Sequence, residues 1–145
     1  MKAAGKALLV FGSRTLDDGR IDALIGERVT AGGYRYLITA LDPRGVCERA
    51  KHYAKTCRLG IVLVQVGLDE KRARGMHEAR SVAALEMADA MLAIWDGKSK
   101  GTAGEIKLAR KMGVPTEVVI LNPVPAGAAD PDEIIRRAQE EGLVP

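Results

Sequence analysis

With 145 residues, 47% of them hydrophobic and 28% charged, the chain has the length of one ordinary domain and a composition that excludes disorder. No stretch approaches the roughly 20 apolar residues of a membrane span, and MKAAGKALLVFG at the start lacks a signal-peptide cleavage pattern, so a cytoplasmic protein is expected. The formal charge of +3 arises from bases interleaved with acids, and only Phe11, Trp95 and three tyrosines are aromatic; no Lys/Arg block or stacking platform points to nucleic acid.

Gly5 to Phe11 (GKALLVF) reads as a first strand, followed by the loop Gly12-Ser13-Arg14-Thr15. Asp17 or Asp18 then caps a helix with Ile21, Leu24, Ile25 and Val29 on one face, stopped by Gly32-Gly33. Tyr34 to Ala40 is β-rich and predicts a second strand. Asp42-Pro43 reads as an N-cap with proline in the first turn of a helix carrying Val46, Ala50, Tyr53, Ala54 and Cys57. Cys47 and Cys57, ten apart, fit neither a metal knuckle nor a redox pair and are expected to be buried thiols.

Gly60 to Val66 (GIVLVQV) predicts a third strand, and the polar segment from Gly67 to Gly75 an exposed loop or irregular helix start. A helix over Met76 to Ala88 feeds a fourth strand, Met91 to Trp95. The helix over Ala103 to Met112 feeds a fifth, Pro115 to Leu121. Asn122 to Ala129 is a connector, and a last helix begins at Asp130 with Pro131 in its first turn and ends before Gly142. Alternation of this kind predicts a single Rossmann-like α/β domain over residues 1–145. Its sheet is parallel and doubly wound, of about five strands in the order 3-2-1-4-5 with helices on both faces.

In that order strands one and four are neighbours at the switch point, where ligands bind beyond the carboxyl ends. The loops there are Gly12-Ser13-Arg14 and Asp96 to Thr102, the second being a cationic glycine-bearing segment that runs into a helix N-terminus. Free backbone N–H groups and the positive end of the helix dipole suit an anion, with phosphate first. Gly12, Ser13, Arg14, Gly97, Ser99, Gly101 and Thr102 are therefore candidate phosphate or nucleotide-binding residues. Neither G-x-G-x-x-G nor a P-loop occurs, so a standard dinucleotide or NTP site is not expected.

Gly101-Thr102-Ala103-Gly104-Glu105 has two readings. Thr102 and Glu105 can form a capping box, or Glu105 can point into the crevice as nucleophile or general base. Arg80 is either a solvated helical arginine or a bidentate anion ligand, and His77 reads as a partly exposed structural histidine.

Phe11-Gly12-Ser13, Met76-His77-Glu78-Ala79-Arg80 with Ala88-Asp89-Ala90, and the segment Asp96 to Glu105 resemble the SLOG superfamily. That superfamily groups Lonely Guy phosphoribohydrolases with the DNA-processing protein A domain. The first two match a glycine-serine turn and the pattern M-H-E-R-K…A-D-A; the third resembles P-G-G-x-G-T-x-x-E, with Asp96 for the proline and Lys98 for the second glycine. Nucleoside 2-deoxyribosyltransferases have a similar G-T-x-x-E arrangement. The resemblance implies Arg80 and Glu105 as catalytic residues cleaving the N-glycosidic bond of a nucleoside 5′-monophosphate, without cofactor or metal. It also implies a small-molecule nucleotide or phosphoribosyl ligand and a homodimer, for which Ala79, Ala83 and Ala84 could supply the packing face. The alternative is a non-catalytic nucleotide-binding or sensor module.

Overall fold

A computed structural model describes residues 5–64, 73–124 and 139–142, with 73–79 described by helical backbone alone. Five strands, β1 (Ala7–Gly12), β2 (Tyr36–Ala40), β3 (Gly60–Val64), β4 (Ala90–Trp95) and β5 (Thr116–Ile120), form one parallel sheet in the order β3-β2-β1-β4-β5. This is the predicted doubly wound α/β order. The helices are α1 (Gly19–Gly32), α2 (Val46–Thr56), α3 (Ala73–Met87) and α4 (Lys100–Lys111).

The apolar runs of β1 and β4 are continuous because both of their faces are covered. Leu8, Val10, Leu92 and Ile94 pack with Ile21, Leu24 and Ile25 of α1 and Val46 and Ala50 of α2. On the opposite face Leu9, Phe11, Met91 and Ala93 pack with Ala84 and Leu85 of α3 and Ile106 and Ala109 of α4. Each large side chain taken fully out of water stabilises the fold by about 2 kcal/mol, so this two-sided core fixes strands one and four as the centre of the sheet.

Local chemistry sets the joints. Asp18, in extended backbone at φ −152°, accepts from the Arg20 N–H at 2.9 Å and starts α1; its carboxylate also holds the Arg20 guanidinium. Gly33, at φ 66°, ends that helix in the left-handed region, where a Cβ is penalised. The Asp89 carboxylate accepts from the Ala7 N–H at 2.8 Å, so the acid of the Ala-Asp-Ala segment ties the turn before β4 to the start of β1.

Several expectations are corrected. Gly45, not Asp42, is the N-cap of α2, because Asp42 is engaged by Arg14 at 2.8 Å. Cys47 is buried, but Cys57 falls at the C-cap of α2 and is exposed. Tyr34 and Arg35 precede β2, their N–H groups going to Val29 and Lys6 carbonyls. α3 begins at Ala73, ahead of Met76. Ala84 is spent in the chain's own core and is not free to face a second subunit, while Ala83 is exposed. The His77 side chain, most of the segment from Gly67 to Gly75, most of the connector and nearly all of the final helix lie outside the described residues. Among those described, no helix is long and apolar enough to cross a membrane.

Candidate functional site

Ser13, 1% exposed, is the latch between the two switch-point loops. Its N–H donates to the Ile94 carbonyl at 3.0 Å, which extends the β1–β4 ladder and consumes the amide. The Ser13 hydroxyl accepts from the Asp96 N–H at 3.0 Å, and its carbonyl accepts from the Leu16 and Val46 N–H groups. Only the hydroxyl proton of Ser13 is then left to offer to a ligand. Gly12 is required here for space: a Cβ would lie 2.2 Å from the Ile94 carbonyl oxygen and 2.7 Å from the Val46 side chain.

The second loop is organised by Asp96. Its carboxylate accepts from the Thr15 hydroxyl at 2.7 Å, from the Lys98 and Ser99 N–H groups at 2.8 Å each, and from the Ser99 hydroxyl at 3.0 Å. Burial works against its charge, but the Thr15 hydroxyl, the two N–H groups and the Ser99 hydroxyl together hold it well below the usual carboxylate range. The aspartate thus does from inside the loop what tight glycines around a phosphate do elsewhere, and it takes the Ser99 hydroxyl away from any ligand. Gly97 turns the loop at φ 80° and is not among the cavity-lining residues.

Helix α4 starts earlier than the capping-box reading requires. Ser99 is its N-cap, with no side-chain cap bond, and its carbonyl accepts from the Ala103 N–H at 3.2 Å and the Trp95 indole N–H at 3.0 Å. Thr102 is therefore inside the first turn and 4% exposed. The Lys100, Gly101 and Thr102 N–H groups lie ahead of the helical ladder, at the positive end of the dipole.

These elements enclose a cavity of about 810 Å³. Gly12, Ser13, Arg14, Ser99, Gly101 and Thr102 line it, together with Arg80 and Glu105, so eight of the nine candidate residues share one space. Thr15, Asp42, Cys47, Ser81 and Lys100 line it as well. Of these, Asp42 reads in the sequence as a cap sooner than as a ribose ligand, although it stands at the same sheet edge; Lys100 is the residue a helix N-terminal anion site would recruit. Ser81 carries no pattern that marks it.

Four of the five charged side chains lining the cavity come in two pairs, and Lys100 is the fifth. Arg14, 60% exposed, donates from Nε to Asp42 Oδ2 at 2.8 Å. Arg80 donates from Nη2 to Glu105 Oε1 at 3.2 Å, with side chains 13% and 17% exposed, and its guanidinium lies 5.5 Å from the Phe11 ring centroid. Arg80 is thus neither solvated nor surface-paired. Glu105 faces the cavity rather than its own helix start, where α4 no longer offers it a Thr102 cap. Its carboxyl is pushed up to about 7: burial raises it, the Asp42 charge adds to that, and the Arg80 guanidinium only partly opposes them. Burial likewise pushes the Cys47 thiol up, which keeps it un-ionised and poorly nucleophilic. Arg80 Nε and Asp42 Oδ1 are buried without a hydrogen-bond partner among the described residues. Among those same residues no group of three or more His, Cys, Asp or Glu could hold a metal ion.

What this arrangement can do chemically is receive an anion at α4 and present a protonatable carboxyl and a guanidinium beside it. No family model matches the chain, and no curated protein matches it. Solved structures do. The chain is similar to the Moco carrier protein of Chlamydomonas reinhardtii, at 22% identity and a TM-score of 0.62, covering 97% of this chain and 99% of that one. It is similar also to the molybdenum cofactor binding protein of the phototrophic bacterium Rippkaea orientalis, at 18% identity and a TM-score of 0.61 over the same shares. At these identities the likeness shows a Rossmann-like fold shared along nearly the whole chain.

Proposed function

We propose that the chain is a non-catalytic binding and carrier protein for a small phosphate-bearing ligand, with the molybdenum cofactor, a phosphorylated pterin, as the leading candidate. The observation that carries this reading is the first turn of α4. Its unladdered N–H groups and Lys100 open onto the 810 Å³ cavity at the β1/β4 switch point. Phosphate is the group such a terminus takes up best. A cavity of this volume has room for a fused heterocycle beyond the phosphate, and Ala40, Cys47 and Leu108 give it an apolar part to rest on. The names of the structural neighbours support the choice of cofactor.

The test is to incubate the protein with molybdenum cofactor released from a molybdoenzyme and to measure molybdenum and pterin fluorescence co-eluting with it on gel filtration. Stoichiometric co-elution is expected, and its loss in Lys100→Glu. Absence of co-elution at micromolar protein excludes the cofactor as cargo.

One observation favours a second reading, hydrolysis of a nucleoside 5′-monophosphate at its N-glycosidic bond. Glu105 opens on the cavity beside Arg80 with its carboxyl raised to about 7, where an acid or base works best near neutrality. Chromatography of nucleoside monophosphates after incubation decides it. Base release that Glu105→Ala abolishes establishes the enzyme; no release, or release unaffected by that substitution, removes it.

A further inference from the structure

Glu105 occupies an unusual place for a residue in an anion site. A carboxyl group lining a cavity that also presents a helix start built to attract negative charge repels the ligand the cavity would take. The Arg80 guanidinium moderates this by one hydrogen bond, Nη2 to Oε1 at 3.2 Å. The other carboxyl oxygen of Glu105 has no hydrogen-bond partner among the described residues, and neither has the buried Nε of Arg80. Among the described residues the pair thus keeps unused hydrogen-bonding capacity on both sides, at one Glu105 carboxyl oxygen and at the Arg80 Nε.

The groups that face Glu105 set the balance. From α3 comes Arg80; from the loop after β2 comes Asp42, whose negative charge acts on it; from α2 comes the un-ionised Cys47 thiol, which feels the Glu105 charge in turn. The turn after β1 adds Arg14, already committed to Asp42 at 2.8 Å, and α4 itself adds Lys100 at its start. Among the described residues, one cation thus serves Glu105 directly, against one further carboxylate and the charge of an incoming anion. Coulomb repulsion between like charges in a partly desolvated cavity is relieved most cheaply by protonating the group that is already hardest to ionise.

We propose that Glu105 is a specificity-determining residue that takes up a proton when an anionic ligand enters, and that as a neutral acid it donates a hydrogen bond to the ligand while Arg80 turns its charge from Glu105 to the anion. The proton comes from solvent and ends on the free carboxyl oxygen; an ion pair becomes a carboxylic acid and an arginine available to the ligand. No covalent bond changes. The site then takes up an anion together with a proton and gives both up when the pH rises. This rests on the reading of the cavity as a site for a phosphate-bearing ligand, and it deepens that reading by assigning Glu105 to binding.

The experiment uses the full chain and guanosine 5′-monophosphate, a soluble phosphorylated amino-oxo heterocycle, as the probe. Titration calorimetry near pH 8, in two non-phosphate buffers of different ionisation enthalpy, gives the protons taken up per probe bound. Wild type is expected to take up a large fraction of one proton and to lose affinity roughly tenfold per pH unit above the Glu105 titration, one proton exchanged per ligand. Glu105→Gln, neutral at every pH, is expected to bind at least as tightly near pH 8 with this uptake gone. Glu105→Asp, which keeps the ionisable group, restores the pH dependence. The phosphate of the probe itself titrates at about 6, so uptake that persists in Glu105→Gln belongs to the probe. Binding whose proton uptake and pH profile are the same in wild type and Glu105→Gln overturns the role of Glu105 and leaves the site standing. No binding of the probe by either protein overturns the site reading and this inference together.

Discussion

Arg80 on α3 and Glu105 on α4, 25 residues apart, meet at 3.2 Å with side chains 13% and 17% exposed, and this contact joins the two helices in the wall of the cavity. Its strength depends on the state of Glu105. Above about pH 7 the contact is a partly buried ion pair; below it, a charged donor faces a neutral acid.

Replacing Arg80 by methionine therefore has a pH-dependent cost. The substitution retains an apolar stem against Phe11 and removes the charge. Near pH 8 it removes the cation that favours the Glu105 carboxylate, so the mostly buried carboxyl must stay charged without its partner or take up a proton, and the loss of stability is expected at about 3 kcal/mol. Near pH 5 the carboxyl is already protonated, and only the cation–π contact and a hydrogen bond to a neutral acid are forfeited, about 1 kcal/mol. Denaturant unfolding at the two pH values measures the difference. Equal costs would show that Glu105 does not titrate between them.

Glu105 also shapes the stability of the wild-type chain. Its folded pKa of about 7 stands above its ordinary 4.5, so the folded state holds the proton more tightly than the unfolded one. The resulting stabilisation is complete below pH 4.5, is lost as pH rises towards 7, and is gone above it, a swing on the order of 3 kcal/mol. Glu105→Gln removes this swing. Plotted against pH, the stability of the variant relative to wild type should climb between 4.5 and 7 and then level off. Two parallel curves would refute the raised pKa.

Much of this arrangement is legible in the sequence, and what is not has a physical cause. ALLVF and MLAIW announce strands covered on both faces, and the topology that follows from them brings Ser13 and Thr102 to one cleft. Asp96 is the residue that misleads. Read in pattern, it stands where a glycine-rich phosphate loop has a proline; in the fold it satisfies the loop's own N–H groups, which no spacing rule distinguishes from leaving them to a ligand. The start of α4 is displaced for the same reason. With Asp96 holding the Ser99 N–H, the helix begins at Lys100, and Thr102 moves from cap to interior. Cys57 fails differently: it has helical spacing, but it arrives where α2 ends, so the apolar stripe it belongs to stops short of it.

Two of the glycines that line the cavity, Gly12 and Gly101, separate folding from binding. Gly12 has no room for a Cβ, which would press on the Ile94 carbonyl and Val46; Gly12→Ala is expected to destabilise by roughly 3 kcal/mol and to shift β1 against α2. At Gly101 a Cβ would meet nothing within 4 Å. Gly101→Ala should leave the fold intact and raise its stability by up to about 1 kcal/mol, the helix-propensity difference. The added methyl, placed beside the open N–H groups of α4, should nevertheless weaken binding of a phosphate-bearing ligand about tenfold. Thermal melts and calorimetry on the two variants test both halves. Unchanged affinity in Gly101→Ala would move the anion away from α4.

Asp96 gives the last prediction, in acid. Its carboxyl is held below the usual 3.8 by the Thr15 hydroxyl, the Lys98 and Ser99 N–H groups and the Ser99 hydroxyl, against the opposing effect of burial. A depressed pKa means that the folded state prefers the carboxylate. The stabilisation is therefore present in full above pH 3.8 and fades as pH falls through the lower folded value. Asp96→Ala discards the acceptor altogether and should cost about 2 kcal/mol at neutral pH, in the range of a lost helix-start cap with its donors left unsatisfied. Asp96→Asn keeps one carbonyl oxygen for those donors, so it should cost less, and it cannot titrate. Circular dichroism followed from neutral pH into acid should then show wild type converging on Asp96→Asn only below pH 3.8, while the two stay apart above it. Because the same carboxylate aims the first turn of α4, both variants should also lose ligand affinity at neutral pH, beyond what their melting temperatures account for. A gap between wild type and Asp96→Asn that ignores pH would mean that the loop is shaped by its backbone and not by this charge.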